Sequence, residues 1–407
     1  MAYISNLASQ DLATAFNAQH WAKEMQLTYF KENVGRALVS ESLSSQLVDG
    51  TRINKPYRKT LAGTDYTKGT AISSWNNLGG TNEYLDIDQI KLVPMYVDDV
   101  DKLQNKWDLA MIYAQDSQRV LNNLIDQKIF SRYSDAYSYI SAQDLGGSGT
   151  GAVAVGSSNI KNLFTVADRN LTSFNRTSGN RFAAIGPRLL EQLKLDVSNR
   201  ETQFGDKVYE NGFIGPRFGF DLYLTNNIPF TSLFTTSSIP VDGETITIAG
   251  VVFTWEAHGT ACSTAGEVDI GTTEDEAYAN LVLAINGTTA GTTSTYCEVS
   301  DSDREILNNT GIVASYTAHA LVISGYGDVI MAEATTNCAV TNHIQYPLFG
   351  IKGAMEFVCL KEPHVEFRTC ENLLGRKIYA WTNYGIKTFN EGKKSLVYAK
   401  VDASAWV

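Results

Sequence analysis

Three aspartates, Asp98, Asp99 and Asp101, crowd the point where an alternating stretch gives way to a helical one. Carboxylates this close could hold a divalent cation. A calcium loop, however, spaces its ligands as D-x-D-x-D-G and closes with a distal glutamate. "VDDVDKLQ" offers neither. The plainer reading is electrostatic: carboxylates at a helix start satisfy free N–H groups and favour the helix dipole. The five histidines, His20, His258, His319, His343 and His364, lie in different segments, and none belongs to an H-E-x-x-H pair. No G-x-S-x-G elbow or Walker loop occurs. A triad assembled in space is compatible with any such sequence, but a lone His364 beside Pro363 reads more simply as a structural residue. "GGSGTGAVAVG", Gly146 to Gly156, has the spacing of a dinucleotide loop without a strand before it or a helix opening from it, so it reads as a flexible link. The cysteines, Cys262, Cys297, Cys338, Cys359 and Cys370, are odd in number and widely spaced, with no CxxC pair. That excludes a zinc ribbon and suits free thiols in a reducing cytoplasm. The Asn-x-Ser/Thr sequons, such as Asn170-Leu-Thr172, carry no weight without secretion. The residues therefore predict no catalytic, cofactor-binding or metal-binding set, and a protein that is not an enzyme.

The elements carry the information instead. The chain has 407 residues, 43% hydrophobic and 19% charged, which fits a globular protein with more than one folding unit. A net charge of −11 argues against a surface that wraps nucleic acid through counterion release. No run reaches the roughly eighteen apolar residues of a membrane span, and "MAYISNLASQDLA" has no basic start or apolar core of a secretory signal.

From Val100 onward Leu103, Trp107, Met111, Ala114, Leu121, Leu124, Ile125 and Ile129 recur at mostly helical spacing, to about Tyr133. The helix would be on the order of 50 Å long at 1.5 Å per residue. It is too polar for a membrane, has no clean heptad and belongs to no repeat, so it reads as a single strut across a sheet. Residues Leu7 to Leu38 read as helical. "DGTRINKPYRKTLAG" and "TNEYLDIDQIKLV" read as the two strands of a long hairpin with the loose tip "TDYTKGTAISSWNNLGG". Such a ribbon is marginal by itself and calls for a second subunit. "RFAAIGPRLLEQLKLD" predicts a strand and then a helix from Pro187; "YENGFIGPRFGFDLYLTNNIP" predicts a strand pair.

From about Thr235 to Thr341 the chain is rich in Thr, Ala and Gly and poor in Lys and Arg. "GETITIAGVVFTWEA" predicts a hairpin. "TEDEAYANLVLAING" predicts a helix with a Thr273–Glu276 capping box, ending at Gly287. "TYCEV", "IVASYTA" and "ALVISG" add short strands. The helix would bury Ala277, Leu281, Ala284 and Ile285 against Ile246, Ile248, Val252, Val313 and Ile323. This segment reads as an independent α+β insert.

The order of parts resembles the major capsid proteins of tailed bacteriophages of the Hong Kong 97 type. "TNEYLDIDQIKLVPMYVDDVDKLQNKWDL" resembles the strand entering that family's spine helix. "FIGPRFGFDLYLTNNIP" resembles its axial domain, and "VEFRTCENLLGRKIYAWTNYGIKTF" its closing strands. The resemblance implies an α+β Hong Kong 97-type capsid fold with a small inserted α+β domain. Residues 1–49 would be an N-terminal helical arm, 50–84 the extended loop, and 85–145 the peripheral domain with its spine helix. Residues 146–234 and 342–360 would form the axial domain, 235–341 the outward-facing insert, and 361–407 the closing peripheral strands.

It also implies the partners: copies of the chain in pentamers and hexamers, a separate scaffolding protein, a portal, a cement or decoration protein, and packaged double-stranded DNA contacted non-specifically, with no membrane. The location implied is the virion, after folding in the bacterial host cytoplasm. Because Met1 lies close to the arm, no scaffold segment and no maturation cleavage are expected. Cross-linking of Lys55, Lys59 or Lys68 to Asn372 or Asn383 of a neighbour, known in one relative, is not expected either. An encapsulin-like cellular nanocompartment shell and a surface protein with a receptor- or glycan-binding insert are the alternative readings.

Overall fold

The computed structural model describes residues 31–46, 50–58, 60–72, 75–99, 109–176, 178–198, 216–287, 295–370 and 374–404. All lie in one compact unit, Lys31–Val407. Among the described residues the strands and α-helices start with β1 (Arg52–Arg58), β2 (Gly80–Asp86) and β3 (Gln89–Asp98), followed by helix α1 (Leu109–Phe130). Strands β4 (Ser138–Ile140) and β5 (Val153–Ala154) lead to α2 (Ile160–Ser173), β6 (Arg181–Ile185), α3 (Pro187–Ser198), β7 (Asp221–Leu224) and β8 (Pro229–Thr236). The segment 235–341, expected as an insert and so named, supplies β9 (Thr245–Ile248), β10 (Val251–Glu256), β11 (Glu267–Asp269), α4 (Glu274–Asn286), α5 (Asp301–Thr310), β12 (Val313–Thr317), β13 (Ala320–Tyr326) and β14 (Met331–Ala334). The chain closes with β15 (Cys338–Gln345), β16 (Leu348–Ile351), β17 (Glu356–Thr369), β18 (Gly375–Lys387), α6 (Asn390–Lys393), β19 (Leu396–Ala399) and β20 (Val401–Asp402).

Helix α1 follows its sequence pattern. Ala114, Ser117, Leu121, Ile125 and Ile129 recur at steps of three and four and are buried. They lie against the three-stranded sheet β17-β18-β3 and, at the C-terminal end, against Phe182, Phe357 and Tyr384. Met111 is exposed. The helix gives way to a 3-10 turn at Ser131–Asp135. The expected start at Val100, with Leu103 and Trp107, lies outside the described residues.

Three expectations need correction. The stretch 81–93 is not one strand. It breaks at Ile87, so that β2 pairs with β1 while β3 pairs with β18. Ile87 is buried with Leu43, Ile53, Leu85, Val358 and Phe389, and this small cluster anchors the break. The second correction is at the arm: residues 31–34 have no regular structure and Gly35–Ala37 is a 3-10 turn, so the helix does not reach Leu38. The rest of that expected helix lies outside the described residues. Third, of the strand pair expected over 209–229 only β7 is a strand among the described residues, and it lies beside β6 in the five-stranded sheet β4-β19-β16-β6-β7; residues 209–215 lie outside the described residues. The glycine-rich 146–156 segment is also more than a link. Gly146 ends a 3-10 turn in the left-handed conformation, and Val153 and Ala154 pair with Val401 and Asp402.

The insert is built around one core of Trp255, Tyr278, Phe253, Leu281 and Ile323, all nearly or fully buried. Ala277, Leu281, Ala284 and Ile285 face it, as do Ile246 and Ile248. Val252 and Val313 do not; they are 48% and 57% exposed, because Val251, Phe253 and Ala314 hold the inward phase of their strands. "TYCEV" forms only a single bridge, Val268 to Tyr296. The six-stranded sheet β12-β13-β8-β15-β20-β5 runs from insert to parent without a break. β8 and β15 cross positions 235 and 341, and Phe230 and Phe234 of β8 belong to the insert's core.

Candidate assembly surface

The ribbon is fixed at its root. β1 and β2 pair in antiparallel register from Arg52 and Asp86 to Arg58 and Gly80. Arg52 pairs with Asp86 at 2.6 Å and lies over the Tyr84 ring. Lys55 pairs with Glu356 at 2.9 Å, Tyr57 donates to Glu391 at 3.0 Å, and the Asn390 N–H donates to Glu83. Glu391 also takes Arg176 at 2.7 Å and Lys394 at 2.9 Å; these bonds hold its carboxyl down at about 2. Gly385 allows the close passage of the ribbon base, since an added Cβ would lie 2.3 Å from the Asp86 carbonyl.

Beyond the root the chain loses its cover. Leu61, Tyr66, Ile72, Trp75 and Leu78 are 54–85% exposed. Local order comes from a Thr70-to-Thr67 turn and an Asn76 side chain donating to the Ala62 carbonyl at 2.7 Å. Five large apolar groups on one loop are far more than the scattered exposure of an ordinary surface.

A second open surface lies on the β17-β18-β3 sheet. Residues alternate along β3: Met95 and Val97 pack toward Ala114 and Ile378, while Ile90, Leu92, Pro94 and Tyr96 face outward. Ile90 is 69% and Leu92 53% exposed. Leu92 sits opposite Trp381, and Trp381 opposite His364. Lys361 approaches the Trp381 ring and Arg368 the Tyr379 ring. β3 and β17 are the edges of this sheet; Ser40 bridges the Glu356 end of β17, and β3 presents the edge a further strand or subunit can extend.

The chemistry-bearing residues are distributed elsewhere. Asp98 accepts from Tyr96, while Asp101 lies outside the described residues. Among the described residues no three His, Cys, Asp or Glu side chains gather as metal ligands. His258 meets Asp269, and His319 meets Glu274. The fold brings Ser232 Oγ within 2.6 Å of His343 Nδ1, a nucleophile–base distance that no sequence motif signals. Both side chains are buried, and burial pushes His343 toward its neutral form. His20 lies outside the described residues. All five cysteines are free thiols, and burial raises Cys262, Cys338 and Cys359 to about 11. Of the residues considered for cross-linking, Lys55 is engaged by Glu356, Lys68 is exposed, and Asn383 lies within β18; Lys59 and Asn372 fall outside the described residues. No helix among the described residues is long and apolar enough to cross a membrane.

No protein-family model matches the chain, and no curated protein matches it. Solved structures do. A chain of Mycobacterium phage Che8 superposes with a TM-score of 0.58 at 14% identity, covering 94% of this chain and 97% of that one. The capsid of Cyanophage P-SCSP1u gives 0.54 at 15% identity, covering 95% and 94%. The mature capsid of bacteriophage PhiM1 gives 0.51 at 10% identity, covering 95% and 92%. The likeness is one of fold along nearly the whole chain. It is the fold of phage capsid subunits, in agreement with the Hong Kong 97-type expectation.

Proposed function

We propose that this chain, built on the fold of phage capsid subunits, is a major capsid protein. Its copies join as pentamers and hexamers and close an icosahedral head around the double-stranded DNA of a tailed phage. The observation that carries this reading is the ribbon loop with its five uncovered apolar side chains. Covering each would contribute about 1.5–3 kcal/mol. A neighbouring subunit supplies that cover in a shell where every chain completes the next.

Charge supports the orientation of the insert. Residues 235–341 hold fourteen Asp and Glu and one Lys or Arg, a formal charge of −13; with −11 for the whole chain, the remainder carries +2. Packaged DNA repels the first and tolerates the second. That favours an insert on the outer surface and a near-neutral parent domain toward the DNA. A separate scaffolding protein, a portal and a cement protein belong to the same reading by fold analogy. The free thiols suit folding in the reducing cytoplasm of a bacterial host.

The test is to replace residues 59–79 with Asn-Gly, which closes the Arg58–Gly80 pair as a tight hairpin. Sedimentation should then show folded monomers or capsomers and no shells. Shells of normal size from this variant would remove the ribbon loop from the assembly.

A further inference from the structure

Lys31 carries a charge into the protein interior. Its Nζ donates to Asn227 Oδ1 and to the Asn309 carbonyl, each at 3.2 Å. Asn227 is fully buried, and its Nδ2 donates to Asp126 Oδ2 and Asn123 Oδ1, each at 2.8 Å. Asp126, 1% exposed, accepts the Gly35 N–H on its other oxygen at 2.5 Å. Gln127 Nε2 donates to the same Asn309 carbonyl at 3.2 Å. Four segments meet here: the arm root 31–38, helix α1, the turn between β7 and β8, and the last turn of α5 in the insert.

The arrangement is closely specified. A Cβ on Gly35 would lie 2.6 Å from Asp126 Oδ1, so the carboxylate occupies the place a side chain would take. Asn227 can serve both neighbours only with its oxygen toward Lys31 and its amide nitrogen toward Asp126. Burial disfavours both charges. It pulls Lys31 down to about 8 against the attraction of Asp126, and it raises Asp126 against the bonds from Asn227 and Gly35. Neighbouring charges are engaged elsewhere: Arg36 with Glu41 and Glu362, and Asp328 with Arg188 and Gln345. Glu32 of the arm root is exposed. A half-buried ammonium and a buried carboxylate joined through one buried amide are poorly suited to adding stability and well suited to defining one arrangement over another.

We propose that this network is a lock coupling the root of the arm to the insert: Lys31 seats only when the last turn of α5 is docked on α1, and displacing either end loosens the other. The reciprocity follows from linkage. The coupling belongs to the single chain, so it is measurable before any assembly.

Hydrogen exchange on the full chain tests it, comparing wild type with Lys31→Met, Asp126→Asn and the double variant. Lys31→Met should raise exchange of the α5 last-turn amides, and of Asn227, at least tenfold while α4 stays at the wild-type rate. The double variant should exchange no more than about twofold faster than Lys31→Met, because one network is broken once. Should Asp126→Asn fail to fold, Gln127→Leu cuts the α1–insert tie without touching Lys31 and should raise exchange of the Gly35 amide. Wild-type protection of α5 in Lys31→Met, multiplicative effects in the double variant, or an unchanged Gly35 amide in Gln127→Leu would each overturn the lock.

Discussion

Two turns of the insert hold alanine or histidine where glycine or asparagine is the comfortable choice. The β9–β10 hairpin turns through Ala249 and Gly250 at φ of 55° and 86°, and the β12–β13 hairpin through Ala318 and His319 at 44° and 66°. Left-handed backbone costs a non-glycine residue roughly 1–2 kcal/mol. Ala249→Asn should therefore stabilise the protein by about 0.5–1 kcal/mol, read as a raised midpoint in thermal unfolding. His319 has a compensating contact, since its Nδ1 lies 2.9 Å from Glu274. The bond to Glu274 and the carboxylate's charge raise the His319 pKa. On Glu274 burial opposes the charge, but bonds from Thr236, His319 and Tyr316 prevail and hold its carboxyl below the usual range. The histidine's contribution is complete below its unfolded pKa near 6.5 and is lost as pH rises through the raised value. The glutamate's is complete above roughly 4.5 and is lost as pH falls through the lowered one. The difference in melting temperature between wild type and His319→Gln should be largest around pH 5.5 and shrink toward pH 8. A difference that grows toward pH 8 would show that the pair is not what the histidine contributes.

At the scale of elements, the insert is locally well specified but not cut where its composition changes. Thr273 caps α4 by accepting the Glu276 N–H at 3.2 Å, while the Glu276 carboxylate turns to Thr272 instead of closing the expected box. The Asn286 side chain pairs with both the N–H and the carbonyl of Ala314, covering part of the β12 edge. A fragment of residues 235–341 loses Phe230 and Phe234 with most of β8, and half of β15. It should unfold without a cooperative transition, whereas 229–345 should melt cooperatively; calorimetry of the two decides. What was legible in the sequence follows from periodicity. The α1 seam from Ala114 onward, the Ala277–Ile285 face and the Pro187 helix start depend on neighbours within a few residues, and all are present. What was missed depends on distant partners. The break at Ile87 needs Val358 and Phe389, and the place of β7 is set by β6. Helix α5 was missed because a single core residue, Leu307, marks its inner face. The Ser232–His343 pair joins positions more than a hundred residues apart and carries no local signal.

At the scale of the whole molecule, the described chain leaves three surfaces open: the ribbon loop, the outer face of β3 and the β3 edge of its sheet. Their apolar content and the charge partition between insert and parent are consistent with one subunit among many. The most direct measurement is electron microscopy of the protein expressed alone and together with the proposed scaffolding protein. The account predicts closed icosahedral shells whose subunit density follows this fold, with each ribbon loop lying on a neighbouring chain. Dispersed monomers under both conditions, with Trp75 and Leu78 still open to solvent, would contradict it.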